Sequence, residues 1–405
     1  MERGLRVCFI LDRLFPITGR SARILAFARA LSNLGHNTTI ITFKETPTSP
    51  LAEEYDGVRV RRLSGVLPVG PRLSQKSVGG EAHLVSGFSF IRMLKALRLL
   101  PELIGMLRSI HPDIVHCVDY PSSVIGLLLR GLIRCPIVAD IQEVAMPVAF
   151  KSPEKRGLYV RGFIIELLAC SWPDAITVPS PSLKRYLERA YHLRGDKIAV
   201  VPNCVDIHEL ESIRPRDIVR KELGIRDDNF VMIYFGTPCL VNIEAMKLVE
   251  NLSIRLNKLG FNVKALIAGM IGEGPSPHPS IIRLGYVPDL STYIHAADAA
   301  ILPVYVILGV SSRVVLCLAC GLPVVTSKYT LLGSPYLAGH RCVIVANSPE
   351  EIMEAVVRLM RMEPSEREAL REEARDIARR YFSPGEVARK LEALYTSILA
   401  SRGKR

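Results

Sequence analysis

Residues Ala299–Ser327, AAILPVYVILGVSSRVVLCLACGLPVVTS, constrain the fold of this chain more than any other stretch. The apolar run Ala299–Leu302 is closed by Pro303, the pattern of a buried strand that ends in a loop. Leu308, Gly309, Val310, Ser311 and Ser312 make a turn whose hydroxyl residues suit a helix N-cap. Arg313–Cys320 is then a short apolar helix stopped by Gly321 and Pro323, and Val324–Thr326 resumes a strand. Strand, loop, helix and strand make one βαβ step of a parallel sheet, and such sheets have helices on both faces. The stretch therefore predicts an α/β chain whose ligands sit beyond the carboxyl ends of the strands, where helix N-termini offer N–H groups to phosphate.

The same grammar runs through the first half. Leu5–Leu11 is a continuous apolar strand, Asp12–Gly19 a loop, Ser21–Gly35 a helix with its apolar stripe at Ile24, Leu25, Phe27, Ala28, Leu31 and Leu34, and Asn37–Phe43 a second strand. This is a Rossmann-type opening without GxGxxG, so it has no dinucleotide fingerprint. Val58–Leu63, Pro136–Asp140, Ala175–Pro179 and Lys197–Val201 read as further strands, His111–Asp119 as a loop followed by a strand, and Ser122–Gly131, Phe163–Ala169 and Ser180–Ala190 as helices. Asp119 and Tyr120 fall at the carboxyl end of their strand, and Asp140 and Glu143 fall where a parallel sheet places catalytic groups; a structural role such as capping the next helix is an equal alternative for Asp140 and Glu143. His116 lies within a strand, where a core histidine and a base are both open readings.

With 405 residues the chain suits two domains of roughly 200 residues. The net charge is +12, and residues 1–203 hold 27 Lys+Arg against 17 Asp+Glu, which is +10 of it. A basic first half implies an anionic partner, and without zinc-finger, RNA-binding or lysine-rich patterns a membrane surface or lipid phosphate fits better than nucleic acid. Phe88–Ile110 reads as a basic amphipathic helix carrying Arg92, Lys95, Arg98 and Arg108, either a solvated helix with its apolar face in the core or a membrane-surface contact. No signal-peptide pattern is visible, and no apolar run reaches the ~20 residues of a membrane span, so a cytoplasmic protein, at most at the inner face of a membrane, is expected. Nine scattered cysteines, with only Cys317 and Cys320 at CxxC spacing on an apolar helix, read as small buried hydrophobes rather than a metal site. Two glutamines, Gln75 and Gln142, beside abundant Arg, Glu, Ile and Val lean toward a thermophile.

The second half adds strands at Phe230–Phe235, Val263–Ala268 and Ile281–Leu284, a tight turn at Gly236-Thr237-Pro238, a loop at Gly272-Glu273-Gly274-Pro275, and helices at Arg214–Gly224, Ile243–Leu259, Asp289–Ala297, Pro349–Met360, Ser365–Tyr381 and Pro384–Ala400.

In order and spacing these motifs resemble those of GT-B glycosyltransferases, and among them family 4, the retaining, metal-independent nucleotide-sugar transferases. The resemblance rests on Pro16–Gly19, Leu34-Gly35-His36, Pro112–His116, Val201–Asp206 (VPNCVD), Ile233–Gly236, Ala268-Gly269, Leu284–Pro288, Ala296–Pro303 and Ala319–Val325. It implies an α/β fold of two Rossmann-like parallel-sheet domains facing across a cleft, residues 1–205 for the acceptor and 206–383 for the nucleotide-sugar, with residues 384–405 a helix crossing back to the first domain.

It further implies a donor site at Gly236, Thr237, Glu273, Tyr286, Gly309, Ser311, Ser312 and Arg313, and an acceptor side at Gly19 and Arg20 with His116, Asp119, Asp140 and Glu143 as candidate catalytic groups. The nucleotide-sugar is a substrate, the acceptor a glycan or lipid-linked hydroxyl, and neither metal nor cofactor is expected. Four donor-site positions depart from the family pattern. Thr237 stands for an arginine and Asn242 near a lysine that hold the donor diphosphate, and Leu308 and Leu316 stand for two glutamates that contact the sugar and the ribose. Leucine accepts no hydrogen bond from a hydroxyl. Transfer of a sugar onto a hydroxyl acceptor and a non-catalytic partner role for an active transferase are thus the competing functional readings.

Overall fold

The computed structural model describes residues 4–14, 19–55, 57–66, 97–142, 156–205, 210, 213–238, 240–303 and 310–403. The chain divides into two compact units, Met1–Cys204 with Pro384–Arg405, and Val205–Ser383. Each is built on one mostly or wholly parallel sheet.

In the first unit the described strands are β1 (Arg6–Ile10), β2 (Asn37–Lys44), β3 (Ala52–Tyr55), β4 (Val58–Val66), β5 (Ile114–Val118), β6 (Ile137–Asp140), β7 (Ala175–Val178) and β8 (Ile198–Val200). They lie in the order β3-β4-β2-β1-β5-β6-β7-β8. β1 is central, with Val7 paired to Thr38 on one side and Ile114 on the other. Strands β5, β6 and β7 are buried along their whole length. Both faces of such a sheet are covered by helices, which is why these strands are largely apolar, with His116, Asp140 and Thr177 as their polar residues. β3, sequence AEEY, is antiparallel to β4 at the sheet edge. It has no apolar signature because an edge strand with alternate residues in water favours charge over hydrophobicity.

Ser180 caps the helix Pro181–Tyr191 by accepting the N–H of Leu183 at 3.0 Å. Of the amphipathic helix expected at Phe88–Ile110, residues 88–96 lie outside the described residues. Its end is helical over Leu100–Ile110, with Leu103 and Leu107 in the core. The last helix, Pro384–Gly403, belongs to this unit. Its Val387, Ala388, Leu391 and Tyr395 are fully buried in one cluster with Val7, Phe9, Phe27 and Ile114.

In the second unit β9 (Phe230–Phe235), β10 (Val263–Ala268), β11 (Ile281–Gly285), β12 (Ala299–Leu302), β13 (Val324–Thr326) and β14 (Val343–Val345) form a sheet in the order β11-β10-β9-β12-β13-β14. All its neighbours pair in parallel. The opening stretch forms β12, the helix Ser312–Ala319 and β13 as its pattern predicts. The short helix Lys328–Gly333 and the three-residue β14 carry too few periodic residues to be visible in the sequence.

Strand order reverses between β1 and β5 in the first sheet and between β9 and β12 in the second. At such switch points the flanking connections diverge to opposite faces and leave a crevice beyond the strand ends, where α/β sheets bind ligands. Among the described residues, no helix is long and apolar enough to cross a membrane.

Candidate active site

At the switch point of the second sheet, β9 ends in Tyr234, Phe235 and Gly236, and β12 leads to the helix Ser312–Ala319. Two glycines let the ends of β9, β10 and β11 close up. Gly269 has φ +83°, and a Cβ there would stand 2.6 Å from the carbonyl oxygen of Gly236. A Cβ on Gly272 would stand 2.3 Å from that of Ile267. The backbone bonds Gly269 N–H to Gly285 O (2.7 Å) and Ile271 N–H to Gly236 O (3.3 Å) tie the three strand ends into one floor. Tyr286 follows directly and is 68% exposed, and Glu273 is exposed beside Gly285.

Arg313, in the first turn of its helix, reaches across to the end of β9. Its Nη1 donates to the Tyr234 hydroxyl (3.2 Å) and to the Phe235 carbonyl (3.2 Å), and its guanidinium lies 5.6 Å from the Tyr234 ring centroid. A Cβ on Gly236 would sit 3.5 Å from the same nitrogen. Nε and Nη2 make no hydrogen bond to the described residues, and these are the nitrogens a bidentate anion would use. Asn242 closes the other side, its amide donating to Thr237 O at 2.9 Å, while the Tyr234 hydroxyl donates to Asn242 Oδ1 at 3.3 Å. Gly236, Thr237, Ser311, Ser312 and Arg313 thus come to one edge of the sheet, with Glu273 and Tyr286 along the same rim. Gly309 and Leu308 lie outside the described residues.

Two details differ from expectation. Ser311 occupies the N-cap position with an extended backbone and is buried, but its side chain makes no capping bond. The first-turn N–H groups therefore have no side-chain cap, as an anion site requires. Tyr234 was not among the candidate residues; inside the apolar run FVMIYF its hydroxyl was the one hint of a polar edge. Leu316 stands half-buried in the apolar packing of this unit.

At the switch point of the first sheet, Gly19 and Arg20 open the helix Gly19–Asn33, their side chains lying outside the described residues, as does Glu143. Asp119 opens the helix Asp119–Leu129 rather than closing β5, and holds φ +60°. A non-glycine residue in that region costs of order 1–3 kcal/mol, the kind of strain that clusters at functional sites.

His116 and Asp140 do not fit direct roles in catalysis. His116 is fully buried, with Nδ1 2.6 Å from the Tyr395 hydroxyl, Nε2 3.1 Å from Thr177 Oγ1, and its ring stacked on Phe9. Burial pushes its imidazole down to about 4, against the pull of Asp140. With both nitrogens occupied and no exposure, it is a core histidine.

Asp140 is equally buried and accepts from Arg23 Nε (3.1 Å) and Nη2 (2.9 Å), Thr177 Oγ1 (2.7 Å) and Gln142 Nε2 (2.9 Å). Burial alone would raise its carboxyl, but the charge and hydrogen bonds of Arg23, then His116 and Thr177, outweigh it and hold the group below the ordinary carboxylate range. Four donors saturate it, so it anchors Arg23 rather than serving a substrate. Arg23, 2% exposed, also donates to Asn203 Oδ1 (2.8 Å) and Val201 O (2.8 Å), and so ties the VPNCVD segment to β6 and the first helix. In the sequence it was one arginine among many, on the buried face of a helix.

Cys8, Cys117, Cys135, Cys170, Cys317, Cys320 and Cys342 are free thiols. Cys317 is fully buried, and burial pushes the thiol of Cys320 up to about 12, which suits packing rather than thiolate chemistry.

Both units match models of known families. The family model "Glycosyltransferase Family 4" matches residues 17–209, and "Glycosyl transferases group 1" matches residues 232–362. The chain is 23% identical to a glycosyltransferase of Methanocaldococcus jannaschii described as uncharacterized, with 77% of each chain covered. Among solved structures it is similar to sucrose-phosphate synthase from Thermosynechococcus elongatus, at TM-score 0.74 and 16% identity over 98% of this chain and 100% of that one. It is also similar to HepE of Anabaena in complex with UDP-glucose, at TM-score 0.70 and 15% identity over 97% and 100%. With the family matched along both units and the fold shared from end to end, this chain belongs to the GT-B glycosyltransferases of family 4.

Proposed function

We propose that the protein transfers a hexosyl group from a nucleotide-sugar to a hydroxyl of a membrane-proximal acceptor. The observation that carries the reading is Arg313, held by Nη1 at the end of β9 with Nε and Nη2 turned to no described partner. In this reading the donor diphosphate lies against those two nitrogens and the uncapped first turn of the helix Ser312–Ala319, over the glycine floor. The acceptor oxygen bonds to the anomeric carbon as the carbon–oxygen bond to the diphosphate breaks. The electron pair leaves with the nucleoside diphosphate, and the acceptor proton passes to a phosphate oxygen or to water. The chain's part is to neutralise the charge that grows on the leaving diphosphate. That a structural neighbour is described with UDP-glucose bound supports this class of donor.

A membrane-proximal acceptor is supported by the +10 charge of residues 1–203 and by the exposed apolar side chains Leu128, Ile164, Leu167 and Leu168 on the packed helices Asp119–Leu129 and Arg156–Ser171 of the first unit, with exposed Leu132 in the turn after the first of them. In this reading the protein works at the cytoplasmic face of a membrane. Sedimentation with vesicles containing anionic lipid tests this part: the protein pellets with them and not with neutral vesicles, and equal recovery in both supernatants counts against it.

The donor assignment is tested by calorimetric titration of UDP-, GDP- and ADP-sugars. One of them binds, and Arg313→Ala weakens that binding about 10- to 100-fold, the loss of one or two charge-assisted hydrogen bonds. Unchanged affinity sinks the role of Arg313. Binding of none of the three favours the non-catalytic partner reading, to which Leu316 at a usual glutamate position already points.

A further inference from the structure

The second unit contains a cavity of about 360 Å³ away from the switch point. It lies against the carboxyl ends of the helices Leu290–Ala296 and Ser312–Ala319 and one face of the helix Pro364–Phe382. Four basic side chains line it, Arg214, His295, Arg375 and Arg379, and no carboxylate does among the described residues. Leu210, Ile213, Ala319 and Ala378 supply an apolar wall.

The arginines are not consumed by structural duties. Arg214 gives one nitrogen, Nη2, to Glu222. Arg375 gives Nη1 to Glu368 and Glu372, and Arg379 gives Nη1 to Asp376 at 2.9 Å. None of these carboxylates lines the cavity, and the remaining guanidinium nitrogens have no side-chain or backbone acceptor among the described residues.

Arginines often gather at helix carboxyl ends to offset the dipole, yet here that duty falls to others. Arg216 and Arg371 donate to Ala297 O (2.6 and 2.7 Å), and Arg220 donates to Ala296 O (2.8 Å) and to Asp298 (2.6 Å). Gly321, at φ +70°, makes room for the guanidinium of Arg375, whose Nε would be 2.6 Å from a Cβ there. The positive charge is crowded: burial and then Arg216 push Arg371 down to about 10, and burial followed by Arg371, Arg216 and Arg375 pushes His295 down. An anion entering the cavity relieves that repulsion.

We propose that this cavity binds a small organic phosphate, separately from the donor: the phosphate is held by Arg214, Arg375 and Arg379, and a compact body packs on Leu210, Ile213 and Ala378. Guanidinium groups match phosphate in a fork geometry, and the volume lies within the range of small-molecule pockets rather than that of a bare ion. Three cations on a single apolar-walled cavity select a ligand with both parts.

Titration calorimetry with phenyl phosphate and with inorganic phosphate tests the assignment on the full chain. Phenyl phosphate is expected to saturate one site with at least 10-fold higher affinity than inorganic phosphate. The double variant Arg214→Ala/Arg379→Ala, whose altered side chains are largely exposed, loses at least 30-fold of it with an unchanged far-ultraviolet circular dichroism spectrum. Arg313→Ala leaves phenyl phosphate binding as it is. Absence of saturable binding, equal affinity for the two probes, full affinity in the double variant, or loss in Arg313→Ala each overturns the proposal. Because donor binding and phenyl phosphate binding are read in separate titrations, failure of one leaves the other standing.

Discussion

At the scale of single residues, the chain separates polar groups that hold the fold from those left open to a ligand, and hydrogen-bond saturation is what tells them apart. His116, Asp140 and Arg23 carry the chemistry of an active site, but every one of their partners is internal. Arg313 keeps two nitrogens unengaged among the described residues. The imidazole of His116, near 4 in the folded chain, titrates near 6.5 when unfolded. The unfolded chain therefore takes up the proton first as pH falls. The stability due to the neutral ring is complete above pH 6.5 and is lost between about 6.5 and 4, a sum of roughly 3 kcal/mol for a shift of this size. The lowered carboxyl of Asp140 adds its own loss only at more acid pH. Denaturant unfolding at pH 7.0, 6.0 and 5.0 should show stability falling with pH in the wild type and a distinctly shallower fall in His116→Gln. Parallel slopes would mean that His116 is charged, or exposed, in the folded protein.

At the scale of elements, the carboxyl ends of β9, β10 and β11 make a surface that depends on glycine more than on any functional side chain. Gly269→Ala places a Cβ 2.6 Å from Gly236 O at φ +83°. Backbone strain and the clash together should cost about 2–4 kcal/mol, measured as a lowered midpoint of unfolding of the second unit. The displaced Gly236 should also weaken nucleotide-sugar binding. A variant with wild-type midpoint would show that the two strand ends are further apart than this.

Such details mark the limit of what the sequence makes legible. β1, β9, β10 and β12 are evident from near-continuous apolar runs, because strands buried on both faces have few other compositions open to them. The site region is evident too, since it must lie beyond β12 and before an apolar helix. β3 and β14 are hidden because one is polar and the other three residues long. The structural roles of His116 and Asp140 are hidden for a different reason: their partners Tyr395 and Arg23 are 279 and 117 residues away in the chain. A period of two or 3.6 says which face a residue takes, but not which distant polar group meets it there.

At the scale of the molecule, the first unit is not completed by the first half of the chain. Its core cluster takes Val387, Ala388, Leu391, Tyr395 and Ile398 from the last helix, and Tyr395 supplies the hydroxyl partner of His116. The folding unit is therefore discontinuous, while Val205–Ser383 is a continuous segment with its own core. This asymmetry gives a test with different outcomes for the two units. Ending the chain at Ser383 removes three large buried side chains, Leu391, Tyr395 and Val387, each worth about 1.5–3 kcal/mol of burial. Their sum is comparable to the whole stability of a typical domain, about 5–15 kcal/mol. It also leaves the apolar groups they covered, Val7 and Phe27 among them, open to water. The truncated chain should lose the unfolding transition of the first unit at 25 °C, with its hydrogen-exchange protection in β1 and β5 collapsing. Protection in β9, β10 and β12, and the binding of phenyl phosphate, should persist, because the residues that line that cavity and the core beneath it all lie before Ser383. Retained protection in β1 and β5 would show that the last helix packs on a core that is already stable without it.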